Sequence, residues 1–180
     1  MTYLNNDQLA KHAPSIFATA PYEAMTERYK FVPTIQVIEL LREKGFQPVR
    51  AQQSRSRIPG KAEFTKHMIR FRHDDHVNQL AVVGEEIPEL VLVNSHDGTS
   101  GYELSAGIYR FVCSNGMVVS SGEIDSVKIR HSGKSYDEFA NRIIDGTYTI
   151  LDETPKVMKQ IEQWKNIELS PNQQLAFARA

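Results

Sequence analysis

The residues best suited to chemistry in this sequence form one polar segment, Asn94-Ser95-His96-Asp97-Gly98. An imidazole exchanges protons near neutral pH, and imidazole and carboxylate groups both bind cations, so His96 and Asp97 are candidate catalytic residues. The segment also lies between two apolar runs, and Asp97-Gly98 is a dipeptide typical of turns. A turn is therefore the favoured structural interpretation, with acid–base or metal chemistry as the alternative.

Arg110 and Cys113 are two further candidate catalytic residues. A cysteine nucleophile needs a neighbouring base and an activated thiolate, and His96 or His131 could supply the base. A buried structural cysteine and a structural ion pair of Arg110 are the favoured interpretations. The sequence contains no Walker loop, no G-x-G-x-x-G, no G-x-S-x-G and no H-E-x-x-H motif. The enzyme question stays open at this point, with a non-enzymatic role favoured.

A second polar cluster, His73-Asp74-Asp75-His76, combines two imidazoles with two carboxylates. Such a set could hold a divalent cation. Two histidines three positions apart on a turn nevertheless lack the ligand spacing of the recognised zinc motifs. We therefore predict no metal and no cofactor, and name His73 and His76 as the candidate ligands if a metal does bind.

The best lead on function is an uneven distribution of charge in a chain whose net charge is −1. Residues 50–72 hold seven Arg or Lys against one acid, whereas residues 73–125 hold nine acids against one base. A positive strand–loop–strand can lie along a phosphate backbone, so nucleic acid is the first-choice partner. The predicted nucleic-acid-binding residues are Arg50, Arg55, Arg57, Lys61, Lys66, Arg70 and Arg72.

Aromatic side chains near these cations would extend binding to single strands, because bases stack on aromatic rings. Phe64 and Phe71 are the candidates for such stacking. Two alternatives do not involve nucleic acid: the cations form a solvated sheet face, or they pair with the acidic half of the same chain.

Helical and strand periodicities alternate along the chain in a way that predicts an α+β fold. Pro33, an apolar stripe and Gly45 predict a helix over 33–45. Apolar residues at helical spacing return after Ser135. Strands are predicted at 46–52, 64–73, 79–83, 90–94, 103–113, 117–120 and 126–131, with an Asn115-Gly116 hairpin and a bulge near Gly107. We therefore expect an antiparallel sheet of about six or seven strands, with an N-terminal helix and C-terminal helices packed on it.

The chain is predicted to have an N-terminal arm (1–32), an α+β core domain (33–168) and the start of a truncated C-terminal helix (169–180). The arm is interpreted as packed across the core, with a swapped or partner-binding arm as the alternative. A chain of 180 residues buries enough surface to fold without a disulfide or a metal. One cysteine, no signal-peptide pattern and no long apolar run predict a cytoplasmic protein without membrane contact. Homo-oligomer formation is left open.

The segment from Asn94 to Gly116 resembles the phage- and plasmid-like proteins grouped under domain of unknown function 932, and the resemblance extends over about 32–164. Its hallmarks are Asn94-Ser95-His96-Asp97-Gly98, Gly107-x-x-Arg110-x-x-Cys113-x-Asn115-Gly116 and His131-Ser132-Gly133. The resemblance implies a protein of phages, plasmids and other mobile elements, usually longer at its C-terminus. It supplies no set of catalytic residues.

A second similarity is to the start of the single-strand annealing domain of recombination mediators of the Rad52 type. It covers helix 33–44, Gly45-Phe46, a strand, a loop rich in basic residues and a second strand. This second resemblance is one of fold alone. The leading hypothesis is a mobile-element accessory protein that binds nucleic acid in recombination or replication. The alternatives are an inhibitor that binds a host defence protein, imitating DNA with residues 73–125, and a metal-dependent nuclease or hydrolase that uses His96, Asp97 and Arg110.

Overall fold

A five-stranded antiparallel sheet forms the centre of the protein in a computed structural model. The structure describes residues 3–74, 86–111, 118–132 and 166–179, together with individual positions between 137 and 163. The strands are β1 (Phe46–Gln53), β2 (His67–His73), β3 (Glu86–Asn94), β4 (Tyr102–Phe111) and β5 (Val118–Ile129). They lie in the sheet in the order in which they occur in the chain, so each strand pairs with the next.

The α+β class is confirmed, whereas the prediction of six or seven strands is wrong, because the sheet has five. The predicted strands 117–120 and 126–131 are parts of one strand, β5. Gly122 and Glu123 stay paired with Ile108 and Gly107 of β4, so the small and polar residues do not interrupt the pairing. The predicted strand 79–83 and the hairpin turn at Asn115-Gly116 lie outside the described residues.

The helices include α1 (Asn6–His12), α2 (Thr34–Glu43) and, near the end of the chain, α3 (Pro171–Arg179), with 3₁₀ turns at Pro14–Phe17 and Ala62–Phe64. Helix α2 matches the prediction for 33–45 to within two residues. The helix ends at Glu43, and Gly45, two residues later, has a φ of +81°, which favours glycine. A Cβ at Gly45 would also lie 2.9 Å from the His73 ring, so β2 approaches the helix end closely.

A capping box begins helix α1. The Asn5 side chain accepts a hydrogen bond from the Gln8 N–H, and the Gln8 side chain accepts one from the Asn5 N–H, both at 2.9 Å. This cap fixes a short helix whose Leu9 is fully buried in the core.

One face of the sheet packs against α1, α2 and the first 3₁₀ turn to form the hydrophobic core. The strand register aligns Phe71 with Leu90 and Leu92 with Leu104, so apolar side chains share this face. Each fully buried aliphatic or aromatic side chain contributes roughly 1.5–3 kcal/mol relative to exposure. The largest fully buried side chains in this core are Tyr102, Phe71, Leu9, Ile16, Ile38, Leu41, Ile69, Leu90 and Leu92.

The pairing of β4 with β5 shifts register between Ala106 and Gly107, which is where the sequence predicts a bulge. Ala106 pairs with Asp125 and Gly107 with Glu123, which leaves Ile124 as the extra residue of β5. The described positions between 137 and 163 include helical residues, and a Cβ at Gly146 would lie 2.6 Å from Val127. A helix therefore packs directly on β5. Within the described residues, no helix is both long and apolar enough to cross a membrane.

Candidate functional site

Residues 54–66 connect β1 to β2, and we call this connection the basic loop. The two arginines of this loop, Arg55 and Arg57, are exposed, and so is Lys66. Arg50, which precedes the loop on β1, is exposed as well. These side chains form no ion pair with any residue that the structure describes. Because no described acidic residue forms an ion pair with these cations, they give the loop an exposed positive surface.

Hydrogen bonds fix the base of the basic loop on both sides. The Ser54 N–H donates to the Lys66 carbonyl at 2.8 Å, and the Thr65 hydroxyl donates to the Ser54 carbonyl at 2.9 Å. The Gln53 amide nitrogen donates to the Ala62 carbonyl at 2.6 Å. The loop thus continues the β1–β2 hairpin as an anchored projection.

Lys61 holds the far side of the loop to the polar turn that follows β3. Its ammonium lies 3.2 Å from Asp97 Oδ2 and 5.6 Å from the centroid of the Tyr22 ring. The Lys61 side chain is only 19% exposed. This predicted phosphate ligand is therefore occupied by an internal ion pair.

Arg70 and Arg72 are placed differently from the other predicted ligands, because both are buried. Arg70 forms an ion pair with Glu89 of β3, and the Arg72 Nε donates to the same carboxylate at 2.6 Å. The alternation of β2 does put these arginines opposite Ile69 and Phe71, as the sequence predicted. That face is not open to solvent at these positions, so the two arginines do not add to the exposed positive surface.

A groove of about 610 Å³ runs along the start of the basic loop. Its polar lining includes His12 from the end of α1 and Arg55 from the loop. The complete lining is His12, Pro14, Ala51, Gln52, Gln53, Ser54, Arg55, Ser56 and Ala62. An exposed guanidinium beside amide and hydroxyl groups is a suitable environment for an anion such as a phosphodiester.

The segment Asn94-Ser95-His96-Asp97-Gly98 forms a turn between β3 and β4. The Asp97 carboxylate accepts hydrogen bonds from the Thr99 N–H at 3.0 Å and from its hydroxyl at 2.5 Å, and Gly98 has a φ of +75°. Burial raises the pKa of Asp97, but the bonds from Thr99 and Lys61 outweigh it and lower the pKa overall. Asp97 is thus an ionised structural group of the turn.

Beneath this turn lies a buried polar cluster, which we call the histidine network. His67, His96 and His131 all belong to it, and each is at most 8% exposed. Thr34 is its central residue, because His67 Nε2 lies 2.9 Å and His96 Nε2 lies 3.1 Å from the Thr34 hydroxyl. The remaining members are Ser15 and Asn94.

The hydrogen-bond partners assign the protons of this network. His67 Nδ1 faces the carbonyl of Thr65 at 3.2 Å, which only accepts, so this nitrogen carries the proton. His67 Nε2 then accepts from the Thr34 hydroxyl. The Thr34 oxygen in turn accepts from Asn94 Nδ2 at 3.0 Å and from His96 Nε2. His96 Nδ1 remains unprotonated and has no hydrogen-bond partner among the described residues.

Burial makes the histidines of the network poor bases. It lowers the pKa of His67 to about 4 and that of His96 to about 3. Burial also lowers the pKa of His131, against the opposing effect of the Lys30 carbonyl. His67 and His96 are therefore neutral imidazoles at neutral pH.

Residues 18–33 cross over the histidine network and cover it. The Tyr29 ring stacks on His131 with 4.6 Å between centroids, and its hydroxyl donates to the Ser95 carbonyl at 2.7 Å. Phe31 packs against His96 at 4.8 Å. The network thus ties the N-terminal segment to the ends of β3 and β5, and His96 is fully buried within it.

The other candidate residues fall into two groups. His73 is half-buried, with its ring 4.9 Å from Phe46. His76, Cys113 and the side chain of Arg110 lie outside the described residues. Within the described part of the chain, no group of three His, Cys, Asp or Glu side chains could hold a metal ion.

Sequence reasoning overlooked the role of Ser15, Thr34 and His67 in the network. A signal did exist for His67, because its alternation with Ile69 and Phe71 predicts a place on the core face of β2. Ser15 and Thr34 carry no such signal, since they meet His67 only through contacts that are distant in sequence.

Comparison with known proteins identifies the family. The family model described as "Domain of unknown function (DUF932)" matches residues 21–180. Two similar proteins of Escherichia coli (strain K12) are UPF0380 protein YafZ, 36% identical, and UPF0380 protein YfjQ, 35% identical, each over 177 residues or 98% of this chain. The chain spans 61% of the length of each. No solved structure matches, and the likeness to the Rad52-type annealing domain gains no support. The chain belongs to the DUF932 family.

Proposed function

We propose that this member of the DUF932 family binds the phosphate backbone of nucleic acid through the basic loop, as an accessory protein of a mobile element in recombination or replication. The observation that carries the proposal is the exposure of Arg55, Arg57 and Lys66 on an anchored loop, without an ion pair among the described residues. Arg50 extends this surface along β1.

Binding of this kind works by neutralising phosphates and releasing their condensed counterions. It needs exposed cations and neighbouring hydrogen-bond donors, which Ser54 and Ser56 supply beside the arginines. Arg70 and Arg72 have no part in it, because both are buried and pair with Glu89 inside the protein. The proposed interface therefore contains fewer basic residues than the basic stretch 50–72 of the sequence.

The two alternatives receive less support from the described residues. Asp74 accepts a hydrogen bond from Tyr3, Glu89 and Asp97 are buried in ion pairs, and Glu103 pairs with Lys128. These acids of the 73–125 stretch have internal partners, which leaves them poorly placed to imitate DNA. A nuclease or hydrolase centred on His96 would need an accessible imidazole, and His96 is fully buried.

The test is a salt titration of DNA binding with the triple variant Arg55→Ala/Arg57→Ala/Lys66→Ala. We expect the slope of log K against log salt to become shallower by about 2–3, because each phosphate contact contributes about 0.9. Fluorescence anisotropy of labelled single- and double-stranded DNA measures the slope.

The matched control is Arg28→Ala/Arg142→Ala/Lys159→Ala, which removes three exposed cations elsewhere on the described surface. This control should keep most of the wild-type slope. Absence of DNA binding by the wild type at low salt, or equal slopes for the two triple variants, would refute the proposal.

A further inference from the structure

The tip of the basic loop is a tight turn with an apolar residue at its start. The Lys61 N–H donates to the Ile58 carbonyl at 3.3 Å, and Gly60 has a φ of +72°. Pro59 followed by a glycine with positive φ is the sequence of a type II turn. Ile58, the first residue of this turn, is 54% exposed.

A single exposed isoleucine is ordinary on a protein surface, but the position of Ile58 is distinctive. It follows the exposed Arg57 directly, and the loop on which it lies is anchored at Ser54, Thr65 and Lys61. A Cβ at Gly60 would meet no described atom within 4 Å, so this turn extends into open space. The loop therefore holds an apolar side chain outward between positive charges.

The aromatic residues of the loop region are not arranged to stack on single-stranded bases. Phe71 is fully buried, and Phe64 is half-buried with its ring 5.6 Å from Tyr22. Sequence-independent binding of single strands relies on exposed aromatic rings. The described part of the loop offers an aliphatic tip in place of such a ring, which favours duplex over single-stranded DNA.

We propose that Ile58 acts as a wedge that inserts between base pairs of duplex DNA while Arg55 and Arg57 contact the flanking phosphates. Aliphatic side chains used in this way partly unstack a base step and kink the duplex by about 20–90°. The wedge rests on the proposed function, since the arginines must first bind the backbone. It adds two points to the proposed function. The substrate is duplex DNA with a deformable base step, and binding bends this duplex.

The experiment measures energy transfer between dyes at the two ends of a short duplex with a central TA step, at saturating full-length chain. Wild type should raise the transfer efficiency, because a kink brings the ends together. Ile58→Ser should keep its affinity within about threefold, since phosphate contacts dominate binding, yet lose most of the rise. Ile167→Ser is the matched control, because Ile167 is exposed to a similar degree, 59%, and lies far along the sequence.

The possible results separate the two proposals. If Ile58→Ser bends the duplex as strongly as wild type, the wedge is wrong and phosphate binding stands. If wild type binds single strands but not the duplex at low salt, the wedge alone fails; if it binds neither, both proposals fail. Binding of wild type to anionic phospholipid vesicles that Ile58→Ser abolishes, without any DNA bending, would also overturn the wedge and indicate a membrane surface as the occupant.

Discussion

The basic loop and the histidine network both contain side chains suited to chemistry, yet burial gives them opposite properties. The loop keeps Arg55 and Arg57 charged and exposed. The network holds His67 and His96 neutral, enclosed and hydrogen-bonded to Thr34. The comparison teaches that residue type alone does not locate a functional surface, because the same polar groups stabilise a fold once water is excluded.

Lowering the pH should have the largest effect on stability, and this effect arises in the histidine network and not in the basic loop. The folded-state pKa values of His67 and His96, about 4 and about 3, lie below the ordinary value of 6.5. Between pH 6.5 and 4 these two histidines are therefore protonated in the unfolded chain but largely neutral in the folded chain. The free energy of unfolding consequently decreases as the pH falls. We expect a loss of up to about 1.4 kcal/mol per pH unit for each histidine, reaching several kcal/mol.

Urea unfolding at pH 7.5, 6 and 5 measures this loss. His67→Gln should flatten the pH dependence, because one of the proton-linked groups is gone, whatever its effect on stability at pH 7.5. A pH dependence identical to that of wild type would contradict the assignment of His67 as a buried neutral imidazole.

Asn94→Ala should give the next largest effect. Its amide donates to Thr34 at 3.0 Å, and its oxygen lies 2.6 Å from His131 Nε2, so the substitution removes two buried hydrogen bonds. We expect a loss of about 2–3 kcal/mol in the free energy of unfolding. The control Asn172→Ala, at an exposed position of α3, should change stability by no more than about 0.5 kcal/mol. Equal effects of the two variants would show that the network contributes little.

Lys61→Met should have the smallest effect on stability. It removes the ion pair that joins the basic loop to the turn above the histidine network, and it leaves the rest of both regions intact. The Asp97 side chain is only 2% exposed but keeps its two hydrogen bonds from Thr99, so the loss of the pair should cost about 1–2 kcal/mol. A looser loop should also be cleaved faster by trypsin after Arg57, as mass spectrometry of the fragments would show. Lys66→Met, on the same loop and exposed, should leave that cleavage rate unchanged. Similar rates for Lys61→Met and wild type would mean that the pair does not restrain the loop.

Local signals predicted the elements that depend on local chemistry. Pro33 and Gly45 delimit α2, Pro59-Gly60 forms the expected turn, and Asp97-Gly98 forms the turn after β3. In each case the residue itself restricts the backbone, through a fixed φ or tolerance of a positive one. Such constraints act within a few residues and can be seen in a single sequence.

Features that depend on distant contacts were missed. Strand β5 looked like two strands because Ser120, Ser121 and Gly122 are typical of a turn, whereas Ser120 and Gly122 in fact pair with Tyr109 and Ile108 of β4. The burial of Arg70 and Arg72 depends on Glu89, which the fold brings across from the neighbouring strand. Alternation along β2 gave the correct face for these arginines, but it carried no information about what lies on that face.

The order of the strands in the sheet, identical to their order in the chain, also has a consequence for folding. Every strand finds its partner in the next segment of sequence, so the sheet forms without long-range loop closure. Folds built from neighbouring segments reach the native state faster than folds with distant pairings, because less chain entropy is lost before contacts form. A growing polypeptide can thus add one hairpin after another during translation, with few unpaired edges exposed to aggregation.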